Sequence, residues 1–389
     1  MNTTTPALSA AGLEWAQRLL RFNTVSRESN LPLIECIADH LRSLDVPLRL
    51  TWDEERRKAN LFATLGEGKP GGLVLSGHTD TVPWDGQDWH VDPLGAELRD
   101  GRLYGRGSAD MKGFIGLVVA QTGALLEADL PHAVHFAFSF DEEIGCLGVR
   151  HLIADLREAG VAPALCIVGE PTGMVPAVSH KGVYRWRCCV RGRAAHSSLA
   201  PRAVNAIQAA ARVVAHIADL AEGWQSDGPF DTGFDVTHTT ASTGLIEGGI
   251  ANNVVPEDCR FSYEFRNLPG SDAAAMQRAV ADHAAALEPA MRAVDPRAGF
   301  RFEPISEMPP FSAPAGDPAV ALAMRLAGSA ATTKVAFGTE AGLFQRAGIA
   351  TVICGPGFIA QAHEADEFVA LDQLAACEAL LQGLSRPSS

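Results

Sequence analysis

LVLSGHTD, residues 73–80, starts as an apolar run and ends with a histidine and an aspartate. A short apolar run bounded by glycine and proline is typical of a buried strand. Residues two apart at a strand end can point the same way, so His78 could bind a metal ion while Asp80 accepts its free ring N–H. From this stretch alone, a His–Asp pair without a metal is an equally good interpretation.

Apolar strands alternate with helices on both sides of this stretch. The strands are short apolar runs, and the helices show apolar residues at helical spacing. The predicted strands are 61–65, 72–76, 134–140 and 164–168, and the predicted helices are 13–44 with a break at 26–32, 113–130 and 148–159. This alternation indicates an α/β domain with a mostly parallel or mixed central sheet flanked by helices.

The pattern changes after Glu170, where strands and helices follow the order βαββαβ of the split ferredoxin-like unit. The predicted elements are strand 181–191, helix 203–220, strands 239–247 and 258–266, helix 271–292 and strand 300–307. A proline-rich stretch, 308–318, indicates a linker. We therefore expect a small domain, 179–308, inserted into a larger α/β domain formed by 1–178 and 309–389.

The composition limits the classes of partner. The 389 residues carry a formal net charge of −14, which argues against nucleic acid or anionic lipid, because both reward clustered lysine and arginine. No apolar run approaches the roughly 20 residues that span a bilayer, and the N-terminus lacks the features of a secretory signal. The eight cysteines are scattered without a CxxC pair. We expect a cytoplasmic protein with reduced thiols.

Two motifs place carboxylates where a cation could bind. Asp110, in GRGSADMKG (105–113), precedes a predicted helix and could either cap that helix or bridge two cations. FDEEIG (140–145) puts three consecutive carboxylates at the end of an apolar strand. They are an ordinary acidic turn if exposed, but costly without cations if buried. In the second case Glu143 could bind metal while Glu142 holds or deprotonates a water molecule.

Two further motifs complete the set. Glu170, in VGEPT (168–172), follows another buried strand, and His363 lies in QAHEADE (361–367). His363 alone could be structural, and the acidic residues after it could form a solvated face. Taken together, the motifs supply two histidines and three carboxylates at strand ends or in loops, a donor set that suits Zn²⁺, Co²⁺ or Mn²⁺. A pair of such ions can lower the pKa of a bound water and polarise a carbonyl, which suits hydrolysis.

Four motifs in order, HTDTVP (78–83), GRGSADMKG (105–113), DEE (141–143) and GEPT (169–172), resemble the M20 metallopeptidase/aminoacylase family. The resemblance covers about residues 10–380. It implies that one metal is held by His78, Asp110 and Glu170, and a second by Asp110, Glu143 and His363. It also implies that Glu142 is the general acid/base and that Asp80 orients His78.

The inserted domain resembles the lid and dimerisation domain of that family, which implies a homodimer. His196, in RAAHSS (193–198), matches a lid histidine that stabilises the oxyanion from the partner subunit, although an ordinary histidine near a helix N-terminus fits as well. Asn252 and Asn253 match a loop that contacts substrate. Arg266 matches an arginine that binds the substrate carboxylate, a task suited to its planar fork.

Two segments, FGTEAGLF (337–344) and GPGFIAQAHEADE (355–367), resemble the acetylornithine deacetylase branch of the family. That branch hydrolyses N²-acetyl-L-ornithine to L-ornithine and acetate in arginine biosynthesis. Glu340 could read the cationic amine of such a substrate, or it could buttress its loop. N-acetylcitrulline, succinyl-diaminopimelate and dipeptides are rival substrates, and a catalytically inactive metal-binding protein on the same scaffold is the alternative from another class.

Overall fold

The computed structural model describes residues 7–69 and 71–385. The chain divides into two compact units: unit 1 is Met1–Ser179, Phe311–Val335 and Thr339–Ser389, and unit 2 is His180–Pro310 and Ala336–Gly338. The boundaries that the sequence predicts lie close to these. The short segment 336–338, which the sequence assigns to the larger domain, is grouped with unit 2.

Unit 1 begins with two helices, which are followed by a mixture of strands and helices. Its first elements are α1 (Ala10–Leu20), α2 (Leu31–Ser43), β1 (Leu48–Trp52), β2 (Ala59–Leu65), β3 (Leu73–His78), β4 (Glu97–Arg99), β5 (Arg102–Tyr104), α3 (Lys112–Ala120), α4 (Thr122–Glu127), β6 (Val134–Ser139), α5 (Leu147–Glu158), β7 (Leu165–Pro171) and β8 (Ala177–His180). The predicted helix 113–130 is therefore two helices, because the chain turns at Gln121 between α3 and α4.

Unit 2 has the predicted βαββαβ order. Its elements are β9 (Gly182–Arg191), α6 (Ala206–Asp227), β10 (Thr240–Gly248), β11 (Asp258–Asn267), α7 (Ala273–Arg292) and β12 (Gly299–Met308). The strands form an antiparallel sheet in the order β10-β11-β9-β12. Asn205 and Asp272 cap the two helices by accepting backbone N–H groups of the first turn. The ferredoxin-like prediction is confirmed.

The chain then returns to unit 1. The last elements are β13 (Phe311–Ser312), α8 (Pro318–Ala327), β14 (Thr333–Val335), α9 (Ala341–Arg346), β15 (Ala350–Gly355), β16 (Phe368–Ala370) and α10 (Leu371–Gln382). The predicted linker 308–318 is not wholly irregular, because β13 lies within it and joins the large sheet. Helix α8 begins with Pro318 in its first turn and Asp317 as its N-cap, two residue types that favour a helix start.

The large sheet of unit 1 has the strand order β1-β2-β6-β3-β7-β15-β8-β13, with β14 paired to β8. Strands β6, β3, β7 and β15 run parallel to one another, whereas β2 and β8 flank them antiparallel. The sheet is therefore mixed, as predicted, with a parallel centre. Every residue of β3 and β6 is buried, which explains why both strands are rich in apolar residues.

Helices α1, α3 and α10 pack in the core of unit 1. Gly116 allows the close approach of α1 and α3, because a Cβ there would lie 2.6 Å from the backbone of Ala16. All eight cysteines lie in the described residues and none forms a disulfide. Within those residues, no helix combines the length and apolar character that crossing a membrane requires.

Candidate functional site

The carboxyl ends of neighbouring parallel strands bring the predicted site residues together. His78 is the last residue of β3, and Glu170 is the second-last residue of the adjacent strand β7. Glu142 and Glu143 follow β6 on the other side of β3, and His363 lies in the loop after β15. Ligands of open α/β sheets bind at the carboxyl ends of the strands, because the loops that follow adjacent strands meet there.

His78, Asp110 and Glu170 form the first group of potential metal ligands. One ligand atom from each lies within 4.8 Å of the others, and all three side chains are buried. His78 Nε2 is 2.8 Å from Asp110 Oδ1 and 3.6 Å from Glu170 Oε1. The three predicted ligands of one metal are therefore adjacent in space.

Asp110, Glu143 and His363 form the second group, within the same 4.8 Å limit. His363 Nε2 lies 3.2 Å from Asp110 Oδ2 and 3.2 Å from Glu143 Oε1. Asp110 thus turns one oxygen to each group, which is the arrangement of a bridging carboxylate. The helix-cap alternative for Asp110 is wrong, because Met111 is the N-cap residue of α3 and the Asp110 side chain faces the two histidines.

The electrostatics of the site fit a cation. Burial, and after it the charge of Asp110, raises the pKa of Glu170 well above its ordinary value, and the same two causes raise the pKa of Glu143. Burial also opposes the charged form of Asp110, but hydrogen bonds from His363 and His78 hold its pKa below the usual range. A divalent ion would offset the cost of gathering these carboxylates away from water.

The ring of His78 is oriented for binding through Nε2. Its Nδ1 lies 2.9 Å from the backbone carbonyl oxygen of Asp80, which can only accept, so Nδ1 carries a proton. The Asp80 carboxylate is farther away, at 3.6 Å, and the predicted carboxylate contact is replaced by the carbonyl contact. Asp80 still orients His78, but with a different oxygen, and Nε2 is left to face the first group.

The Asp80 carboxylate holds the loop that carries Glu142 and Glu143. Its Oδ1 accepts the backbone N–H of Glu142 at 3.0 Å, and its Oδ2 accepts that of Glu143 at 3.3 Å and the hydroxyl of Ser26 at 2.7 Å. Both carboxylate oxygens are thus engaged by other donors, and the carboxylate stays 3.6 Å from His78 Nδ1. Asp80 therefore fixes the backbone position of both glutamates.

Asp80→Asn is expected to lower kcat by about 10- to 100-fold, the usual effect of losing a contact that orients a metal site. The amide NH₂ group cannot accept, so one of the two glutamate N–H groups loses its partner. The measurement is steady-state kinetics alongside metal content. Asp317→Asn is the matched control, because Asp317 also accepts two backbone N–H groups, at the start of α8. An unchanged kcat for Asp80→Asn would contradict this role.

Glu142 is buried beside the two groups but belongs to neither. Burial raises its pKa well above the usual value of a carboxyl, and the charges of Glu143 and Asp110 add to the effect while His78 opposes it. The thiol of Cys146 donates to its Oε1 at 3.4 Å. A carboxylate so placed, outside the ligand groups, is free to exchange a proton with a bound molecule.

Glu340 is buried, and its carboxylate is hydrogen-bonded to two strands. It is 1% exposed, and its carboxylate accepts hydrogen bonds from Ser76 of β3, at 3.0 Å, and from Ser139 of β6. Both oxygens are thus engaged with strands that end at the ligand groups. These contacts favour the alternative in which Glu340 supports its surroundings. We propose no contact between its side chain and a substrate amine.

Unit 2 brings some of its predicted residues together. The segment of His196 pairs with that of Asn253, because Ser197 N–H donates to the Asn253 carbonyl at 2.9 Å, next to the exposed Asn252. The exposed His196 ring accepts from the backbone N–H of Ser198 at 3.2 Å, as a cap of a short 3₁₀ turn.

Arg266 lies on β11 of unit 2, and its Nε donates to Glu264 at 2.9 Å. The structure does not test the substrate contacts predicted for Arg266, Asn252 and Asn253, or the oxyanion role predicted for His196. These roles remain predictions.

Two ion pairs that support the site were not predicted from the sequence. Lys58 pairs with Asp141 at 2.5 Å and donates to the Ser26 carbonyl, which ties the loop of the three acids to the chain before α2. Glu367, which the sequence left as a candidate for a solvated face, is buried and paired with Arg106. No local pattern predicts this contact, since Arg106 and Glu367 are distant in sequence.

Known proteins resemble this chain over most of its length. Residues 74–386 match the model of peptidase family M20/M25/M40. The chain is 34% identical to an acetylornithine deacetylase of Myxococcus xanthus, with 98% of this chain and 97% of that protein covered. It is 33% identical to an acetylornithine deacetylase of Proteus mirabilis, with 88% and 86% covered.

A solved structure confirms the fold. An M20 family metallo-carboxypeptidase from Sulfolobus solfataricus superposes with a TM-score of 0.76 at 17% identity, with 97% of this chain and 99% of that chain covered. The family match and the relatives above 30% identity establish the family. The chain belongs to peptidase family M20/M25/M40 and is a metallohydrolase of that family.

Proposed function

We propose that this chain hydrolyses the amide bond of N-acyl amino acids, and that its substrate is N²-acetyl-L-ornithine, cleaved to L-ornithine and acetate for arginine biosynthesis in the cytoplasm. The observation that carries the proposal is the pair of ligand groups that share Asp110, with Glu142 beside them and in neither. The relatives named acetylornithine deacetylase support the choice of substrate, because they match 33–34% of positions over most of the chain.

Two divalent ions fit the donor set. His78, Asp110 and Glu170 would hold one ion, and Asp110, Glu143 and His363 would hold the other. Nitrogen and carboxylate donors without thiolate favour Zn²⁺, with Co²⁺ as the alternative. When bound, such ions lower the pKa of a water molecule and polarise the carbonyl oxygen of the acyl group.

Glu142 would move the proton in both halves of the reaction. It accepts a proton from the attacking water, and it returns that proton to the amide nitrogen as the C–N bond breaks. The products are the free amine and acetic acid, which releases the second proton of the water to become acetate, and Glu142 ends the cycle ready to accept again. Asp80 supports this step, because it holds the backbone N–H of Glu142.

The proposed roles of the unit 2 residues depend on the family motifs. His196 would stabilise the oxyanion, as its match to the lid histidine implies. Arg266 would bind the substrate carboxylate, and Asn252 and Asn253 would contact the substrate. Separate alanine variants of the four residues test this set. A wild-type KM for Arg266→Ala would remove Arg266 from it.

We further propose that the chain forms a homodimer through unit 2. Strand β10 lies at an edge of its sheet and exposes 71% of Leu245 and 51% of Ile246, and Ile250 just beyond it is 89% exposed. An unpaired strand edge with apolar side chains is suited to pair with a second copy. A monomer in light scattering would contradict the dimer, and with it any role of His196 in the partner's site.

A panel of substrates tests the activity. We expect kcat/KM for N²-acetyl-L-ornithine to exceed that for N-acetylcitrulline, succinyl-diaminopimelate and dipeptides by at least about 10-fold, since a site built for one polar substrate group rejects analogues that leave its partners unpaired. Equal or faster hydrolysis of a rival would reassign the substrate within the family. No hydrolysis of any member by the metal-loaded protein would favour the catalytically inactive alternative.

A further inference from the structure

Glu367 is a buried carboxylate that accepts hydrogen bonds from the backbone around Asp110. Its Oε1 accepts the N–H groups of Gly107, Ala109 and Asp110 at 3.1, 3.0 and 3.2 Å. Its Oε2 accepts from Arg106 Nη1 at 2.8 Å, and the two side chains are 0% and 1% exposed. Three backbone donors on one oxygen leave the chain before Asp110 little freedom to move.

The same contacts continue to the loop of His363. Arg106 Nη2 donates to Gln87 Oε1 at 2.5 Å, and Gln87 Nε2 donates to the backbone carbonyl of His363 at 2.7 Å. The Trp89 ring covers the guanidinium at 5.0 Å, and its Nε1 donates to the same Gln87 oxygen at 3.0 Å. A continuous path of side chains therefore joins Asp110 to His363 without using either ligand side chain.

We propose that Glu367, acting through Arg106 and Gln87, is a positioning residue that sets the spacing between Asp110 and His363 for the second metal ion. The inference rests on the proposed function, since it takes both residues as ligands. The His363 side chain is 47% exposed, so packing does little to hold it and the anchoring of its backbone by Gln87 matters more. Supporting contacts of this kind fix the geometry that a metal site needs.

Metal binding, measured apart from catalysis, tests the proposal. Glu367→Gln keeps the size of the side chain, but its NH₂ group must face either the backbone donors or the guanidinium. We expect the affinity for one of two Co²⁺ ions to fall about 10- to 100-fold in calorimetric titration of the metal-free full chain, and the visible absorption of bound Co²⁺ to change. Gln87→Ala, which leaves the Glu367 contacts in place, should weaken the same ion to a smaller extent.

Glu378→Gln is the matched control. Glu378 is another buried carboxylate of unit 1, 1% exposed, and it accepts hydrogen bonds from Ser9 and Gln121. Its variant should bind Co²⁺ like the wild type. An equal loss in Glu378→Gln would overturn the proposal, because removal of any buried charge would then suffice.

The remaining outcomes separate this proposal from the function on which it rests. Wild-type Co²⁺ affinities and absorption in a folded Glu367→Gln variant overturn the positioning role alone. If that variant does not fold, Gln87→Ala provides the test. Wild-type Co²⁺ binding by Gln87→Ala would also overturn the positioning role. If the wild-type chain itself binds no Co²⁺, the proposed function fails first and the positioning role falls with it.

Discussion

Glu142→Gln is expected to lower kcat by at least about 10²- to 10⁴-fold, the usual contribution of a general acid/base, while both metal ions stay bound. The amide matches the carboxylate in shape, but it cannot accept a proton from water and return it to the leaving amine. Metal binding should survive because Glu142 belongs to neither ligand group. The measurement is kcat on N²-acetyl-L-ornithine together with metal content per chain.

A variant of the adjacent residue, Glu143, serves as the comparison for Glu142→Gln. Glu143→Gln alters a member of the second ligand group, in which Glu143 Oε1 lies 3.2 Å from His363 Nε2. That variant should lose activity together with an ion, whereas Glu142→Gln should lose activity alone. A Glu142→Gln enzyme within about 10-fold of the wild type would mean that another group moves the proton, and loss of metal would place Glu142 among the ligands.

The fold was predictable where local patterns decide structure. Strands β3 and β6 are rich in apolar residues because both are buried throughout, and the βαββαβ order of unit 2 follows from alternating periodicities. The short strands β1, β4, β5, β8, β13 and β16 are not predicted from the sequence. All three residues of β4 are exposed, and β16 pairs with β5 from a distant part of the chain, so neither carries a local signal.

The candidate site, like the fold, could be predicted from local sequence patterns only in part. The five predicted ligands meet because each follows or ends a strand of one sheet, or lies in a neighbouring loop, and strand ends can be read from sequence. The contacts that hold these ligands in place could not be predicted in this way. Whether the carbonyl or the carboxylate of Asp80 faces His78 depends on which donors surround it in space, and the burial of Glu367 depends on Arg106, far away in the chain.

Asp110→Asn is the variant expected to damage both ligand groups at once. Asp110 Oδ1 lies 2.8 Å from His78 Nε2 and Oδ2 lies 3.2 Å from His363 Nε2, so each group depends on one oxygen. The amide keeps one oxygen and turns an NH₂ group, which has no lone pair to offer, toward the other. Loss of the negative charge also weakens the ion that remains, since both ions share this carboxylate.

We expect bound metal in Asp110→Asn to fall below about one ion per chain, and kcat/KM to fall by about 1,000-fold or more, the scale of several kcal/mol of lost charge stabilisation. His363→Ala is the control, because it removes a ligand from the second group only and should retain about one ion. Elemental analysis after dialysis measures both. If Asp110→Asn keeps as much metal as His363→Ala, Asp110 serves one ion rather than two, and a shared carboxylate cannot be the basis of the centre.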